Sequence, residues 1–177
     1  MATWSSRGLR GSSLEDLLNK TNEIYREKHL ALVQKIPTPI TPVEMDSKSR
    51  HITLAYFDQK STVDYIGVVQ GIPVCFDAKE CKEDTFPLAN IHEHQMNFMK
   101  DFEAQEGIAF FLINFTDRRD YYYLRYSEAE NYFEREKKGG RKSFRRDELD
   151  EEYFFSEEKG FLIPYLKMIQ KDLDERE

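Results

Sequence analysis

The 177-residue chain has only two cysteines, Cys75 and Cys81. Two thiols make neither a disulfide framework nor a zinc set, and the default expectation is an intracellular location. No apolar run approaches the ~20 residues of a membrane-spanning helix, so a membrane protein has no support. Residues 1–7 lack the apolar stretch of a secretory signal. There is no glycine-rich phosphate loop, which leaves nucleotide hydrolysis unsupported. No internal repeat and no defensible Ser/His/Asp or Cys/His spacing is visible. His92 and His94 are two apart, so on a helix they point in different directions and form no metal pair. Positive charge is also short, with 26 Lys and Arg against 33 Asp and Glu and a net charge of −7. That balance argues against a nucleic-acid partner. Its distribution softens the argument: residues 143–177 hold 11 acidic and 6 basic residues, leaving the first 142 nearly balanced.

What is present is apolar and aromatic. Hydrophobic residues make up 40% and aromatics 14% of the chain, enough for one domain with a real core. Residues 1–11 read as a flexible basic arm carrying Arg7 and Arg10, and residues 12–177 as a single domain. A capping box over 12–15 predicts a helix over 14–29, with Leu14, Leu17, Leu18, Thr21, Tyr25 and Lys28 on one face. Glu15 falls in its first turn, where a carboxylate favours the helix dipole. Residues 31–36 read as a strand. Pro37, Pro39 and Pro42 then rule out a helix or a central strand, and 51–57 read as a returning strand. Residues 37–60 are therefore an excursion, with Lys48, Arg50 and Lys60 as candidate DNA contacts. Residues 81–90 read as a loop. A helical stripe of Ile91, Gln95, Phe98, Met99 and Phe102 is closed by Gly107. The continuous apolar run 108–115 predicts a strand buried on both faces. A turn at 117–120, a strand over 121–126 and a helix over 127–138 follow. Residues 141–146 hold four cations, and Arg141, Lys142 and Arg145 are candidate phosphate contacts. The alternative for this run is a solvated loop. A last helix over 162–173, within a C-terminal segment of 156–177, is interrupted near Pro164. This order predicts an α/β domain with a central mixed sheet flanked by helices.

The chemistry concentrates between residues 61 and 80. Residues 65–69 and 72–76 read as two strands joined by Gln70-Gly71. In that register opposed residues sum to 141, so Asp64 faces Asp77, and Lys79 points to the same side as Asp77. Two opposed carboxylates repel and call for a cation. Carboxylate oxygens with open water positions suit Mg²⁺ or Mn²⁺. A lysine beside them can orient or deprotonate a water and stabilise developing negative charge. The pattern fits metal-dependent phosphodiester hydrolysis. The alternative is a surface hairpin edge with ordinary charges, which the apolar flanks disfavour.

Several segments in order go further: Arg10-Gly11 with Leu14-Glu15-Asp16 and Asn19; Lys35-Ile-Pro-Thr-Pro39; Ser61-Thr62 with Asp64-Tyr65 and Gly67; Ala78-Lys79-Glu80; Phe86-Pro-Leu with Asn90; His92, His94-Gln95 and Met99-Lys100; and Gly140-Arg-Lys-Ser with Arg145 and Asp147-Glu-Leu149. From about Arg10 to Phe155 the chain resembles the RecU-type Holliday-junction resolvases, within the restriction-endonuclease-like PD-(D/E)XK nuclease superfamily. The resemblance implies that superfamily's fold, with residues 37–60 as a projecting stalk. It also implies a dimeric, Mg²⁺-dependent endonuclease, with Mn²⁺ as a substitute, that cuts opposed strands of a four-way junction symmetrically in recombination and repair. Asp64, Asp77 and Lys79 would be catalytic. Asp64 and Asp77 would bind metal, with Gln95 and Glu15 at or beside the metal site. Arg10 would belong to a mobile arm. A strand-exchange recombinase or branch-migration helicase would be a protein partner. The family usually carries Glu where this chain has Asp77, one methylene shorter. That departure keeps two other readings open: a junction-binding module that does not cut, and a related nuclease with a different DNA substrate.

Overall fold

Residues 13–46, 48–49, 51–57, 62–158 and 160–176 of the computed structural model are described here. Arg7, Arg10, Arg50 and Lys60, and the predicted arm at 1–11, lie outside them. The first helix, α1 (Leu14–Glu27), starts at Ser13, whose Oγ accepts the Asp16 N–H at 3.3 Å. The helix cap is thus Ser13 rather than Ser12. Leu14, Leu17, Leu18, Thr21 and Tyr25 form its buried face. Lys28 lies past the last turn and is exposed, so it leaves the predicted stripe.

The central sheet contains β1 (Ala31–Lys35), β4 (Tyr65–Val69), β5 (Ile72–Cys81), β7 (Ile108–Phe115), β8 (Asp120–Arg125) and β10 (Phe154–Phe155), in the order β1-β4-β5-β7-β8-β10. Its one parallel pair is β5 with β7; the rest are antiparallel. The sheet is therefore mixed. The β4–β5 hairpin has the predicted register, from Val69 opposite Ile72 to Tyr65 opposite Phe76. Its turn needs positive φ at both central residues, Gln70 at 48° and Gly71 at 93°, which the right-handed strand twist favours. Gln70 tolerates this because its Nε2 donates to the carbonyls of His29 and Leu30, both at 3.0 Å.

Helices cover both faces. On one face a ladder of rings, Tyr65–Phe76–Phe110–Tyr123, crosses four strands at centroid spacings of 4.7, 4.7 and 4.2 Å. Against it lie α1 and the final helix, α4 (Leu166–Arg176). Pro164 delays α4, so residues 162–165 are not helical. They instead tie the chain end to α1: Ile163 N–H donates to Thr21 Oγ1 at 3.2 Å, and Tyr165 Oη to Asn22 Oδ1 at 2.5 Å. On the other face sit α2 (Glu93–Glu103) and α3 (Tyr126–Lys137). The left-handed residue after α2 is Glu106, φ 62°, rather than Gly107. Gly107 is needed for another reason: a Cβ there would lie 2.3 Å from the Phe102 ring.

The excursion is a ribbon of two strands, β2 (Ile40–Asp46) and β3 (His51–Phe57), paired with each other and not with the central sheet. It takes Pro42 and Glu44 into a strand, with register shifts around them. The segment 81–90 also departs from a plain loop. It holds β6 (Thr85–Pro87), which pairs with β9 (Ser143–Arg145) out of the basic run, followed by a short 3-10 turn over Leu88–Asn90.

Candidate active site

Asp64 directly precedes β4. The Ile36 N–H donates to its carbonyl at 2.8 Å, which extends the β1–β4 ladder by one step and fixes the residue at the strand end. Its Oδ2 accepts the Ala78 N–H at 2.9 Å, so the carboxylate leans across onto β5. There Asp77 is almost fully buried. Its Oδ1 accepts Gln95 Nε2 at 2.7 Å. The Lys79 ammonium lies 2.6 Å from Asp77 Oδ2. Oδ2 is buried, and the Lys79 ammonium is the charged partner that meets it.

Burial pushes the Asp77 carboxyl up to about 7; Lys79 opposes the rise and neighbouring Asp64 adds to it. Desolvation penalises the charged form, and a second carboxylate penalises it again. One lysine does not offset both. Two carboxylates against a single ammonium leave the site short of positive charge. Among the described residues no group of three or more His, Cys, Asp and Glu is arranged to hold a metal. Two carboxylates nevertheless suit a Mg²⁺-like ion, which keeps several waters and takes its remaining oxygens from a phosphate. The residues present therefore fit such a cation, with Asp64 and Asp77 as the protein's contribution.

The other sequence-derived residues fall elsewhere. Gln95 is in contact with Asp77, but its Oε1 is taken by the His92 N–H at 3.0 Å and faces Lys79 Nζ at 3.4 Å. Its amide therefore presents a donor to Asp77 and not a ligand oxygen. This orientation comes from the first turn of α2, where Gln95 is the third residue and reaches back to the cap. Glu15 lies on α1, which packs the opposite side of the sheet, and its carboxylate pairs with Lys35. Tyr65, the residue after Asp64, points to the α1 side. Its hydroxyl lies 3.1 Å from Asn19 Oδ1 and 3.4 Å from the Glu15 carbonyl. Burial raises its pKa, as do the charges of Glu15 and Asp64. Of the cations, Lys48 sits exposed in the ribbon's turn. Arg141, Lys142 and Arg145 are exposed but each faces a carboxylate, of Glu148 at 3.2 Å, Glu136 at 3.8 Å and Asp147 at 2.9 Å.

Sequence reasoning missed the part played by Lys35, Tyr65 and the His92 backbone. Each acts across long chain separations or through the main chain, so no local pattern marks them.

The family model described as Recombination protein U matches residues 9–171. The chain belongs to the Recombination protein U family. The match runs beyond Phe155 and takes in part of α4, which the sequence resemblance left uncovered. A protein of Pediococcus pentosaceus named Holliday junction resolvase RecU is 40% identical, over 94% of this chain and 86% of that one. One of the same name from Bacillus licheniformis is 44% identical over 80% of this chain and 73% of its own. The Bacillus subtilis protein of that name is 42% identical, over 80% and 70%. The solved structure of Archaeoglobus fulgidus Hjc, titled a Holliday junction resolvase, covers 64% of this chain and 75% of that one. At 10% identity and a TM-score of 0.38, that likeness is too loose to argue from.

Proposed function

We propose that this member of the Recombination protein U family is a junction-resolving endonuclease, which hydrolyses one phosphodiester bond in each of two opposed strands of a four-way DNA junction. The observation that carries the chemistry is the Asp64–Asp77–Lys79 constellation, in which two carboxylates, one of them almost fully buried, are met by a single ammonium. Asp64 and Asp77 would hold the divalent cation, Mg²⁺ with Mn²⁺ as substitute. The chemistry a cation supplies when bound is Lewis acidity toward a phosphate oxygen and a more acidic water. Lys79 orients the attacking water and stabilises negative charge developing on the phosphate. Gln95 holds Asp77 in place through its amide. Glu15 acts from the opposite side of the sheet, through Lys35 and the α1 terminus.

Paired nicks call for two such sites, so the working unit is a homodimer. Lys48, Arg141, Lys142 and Arg145 contact phosphates, the last three exchanging carboxylate partners for DNA. Arg7, Arg10, Arg50 and Lys60 add to them, and the ribbon of β2 and β3 serves as the stalk. A recombinase or helicase partner is carried by the resemblance alone. No helix among the described residues is long and apolar enough to cross a membrane.

The test is incubation with a synthetic mobile four-way junction in Mg²⁺, Mn²⁺ or EDTA, beside Asp77→Asn. Symmetric nicks that need metal and disappear in the variant are the expected result. A retained but uncut junction in both metals would replace the enzyme with a binding module. Equal cutting of plain duplex would give the nuclease a different substrate.

A further inference from the structure

A groove of 660 Å³ runs between α1 and β1. Asn19, Asn22, Glu23 and Arg26 line it from the helix, and residues 32–35 line it from the strand. β1 is the last strand of the central sheet, and among the described residues it pairs only with β4. The Ile36 N–H donates to the Asp64 carbonyl. Bonded pairs alternate along an antiparallel ladder, so residues 34 and 32 also turn inward to β4. The two-residue turn of the β4–β5 hairpin requires the same phase: it commits residues 65, 67 and 69 to β5 and leaves 66 and 68 for β1. The backbone N–H and C=O of Ala31, Val33 and Lys35 therefore face outward, past the end of the sheet. Asn22 supplies a second, independent observation. It is 6% exposed. Its Oδ1 accepts Tyr165 Oη at 2.5 Å, while its buried Nδ2 meets no acceptor. Leaving a buried donor unmet is costly, and this one belongs to a residue that lines the groove.

We infer that the groove takes an extended segment of a partner protein, added to β1 as a further strand of the sheet. In such additions backbone pairing supplies affinity and alternate side chains supply selectivity. Every second side chain of the added strand points toward α1. A Ser, Thr or Asn oxygen on that side accepts from Asn22 Nδ2. Two cations of the groove are already answered, Lys35 by Glu15 and Arg26 by Glu23, so it offers little to a phosphate backbone. The side of the segment that faces α1 is polar and uncharged. No proline stands where its N–H would pair with β1.

The experiment selects binders to the full chain from a phage-displayed library of random peptides of about a dozen residues. Affinity by fluorescence anisotropy and amide exchange in β1 are then measured for wild type, Asn22→Asp and Arg26→Trp. Bound peptide should slow exchange at Val33 and Lys35 by at least ~10-fold and change the already paired Leu32 and Gln34 little. Asn22→Asp keeps the acceptor for Tyr165 but puts an oxygen where the donor was, and should weaken binding ~10-fold. Arg26→Trp lays a ring across the groove from an exposed position and should weaken binding at least as much. Its melting should match wild type, so it reports on the groove even if Asn22→Asp folds poorly. Peptides that leave β1 exchange unchanged, or that bind Arg26→Trp as tightly as wild type, overturn the inference. So does a library that yields no binder. Slow exchange at Val33 and Lys35 in the free protein also overturns it, since a second copy or the chain's own residues 1–12 would then hold the edge. Protection by single-stranded oligo-dT and by no peptide would overturn it in favour of a nucleic-acid contact. None of these readouts depends on junction cutting.

Discussion

Asp77 has a measurable consequence even without DNA. Its carboxyl titrates near 7 in the folded chain, against an ordinary value of 3.8. Between these values the folded state binds more protons than the unfolded state. The linkage slope is therefore negative: metal-free stability falls as pH rises from about 4 through 7 and is flat above. With EDTA present, the melting temperature at pH 8 should lie below that at pH 5.5, and Asp77→Asn should flatten the difference by on the order of 5 °C. A melting temperature for wild type that rises across this range would contradict the burial account of the site. The nearness of Asp77 to Asp64 was legible in sequence, because a two-residue turn fixes the register of the pairs that lead up to them. The elevated proton affinity was not, since it depends on α2 closing over the residue from elsewhere in the chain.

The elements show the same division. The β4–β5 hairpin and α1 announce themselves through period and turn chemistry. β7 does so through an unbroken apolar run. The β6–β9 pair does not, because three residues give no periodicity. It is held by Phe86 stacked on Phe144 at 5.0 Å and by Tyr132 on Phe144 at 4.6 Å. The first of these contacts joins segments far apart in the chain. Gly67 is the most sharply constrained position of the hairpin. A Cβ there would fall 2.2 Å from the Leu32 carbonyl oxygen and 2.6 Å from Val33 Cα, both backbone atoms that cannot swing away. Gly67→Ala should cost about 2 kcal/mol by prying β1 from β4, read by urea denaturation. A loss below half of that would mean β1 is free to shift.

For the molecule as a whole, the chain end belongs to the core. Asp172 on α4 is buried; its carboxylate accepts Tyr123 Oη at 2.9 Å and Arg176 Nε at 2.9 Å. Arg176 in turn holds Glu103 at the end of α2. One carboxylate so joins helices from both faces of the sheet. Asp172→Ala strands the Tyr123 hydroxyl and weakens that link, and should cost about 3 kcal/mol. Cutting at a temperature where the variant remains folded should be unchanged; a large loss of cutting in a folded variant would give α4 a role in the site. The acidic balance of this region, visible in the sequence as a departure from a DNA-binding profile, is in part structural: Glu152, Glu158, Asp172 and Glu175 all pair with cations of the protein itself.

The ribbon leaves the sheet after Lys35 and returns to it before Tyr65. Its two ends are closed by the hydrogen bond from Ile36 to the Asp64 carbonyl. A force applied at the far tip therefore reaches the sheet where β1 and β4 meet, at the step between Ile36 and Asp64. Mechanically the ribbon is a lever arm rooted at the backbone of Asp64, the residue that leads into the β4–β5 hairpin.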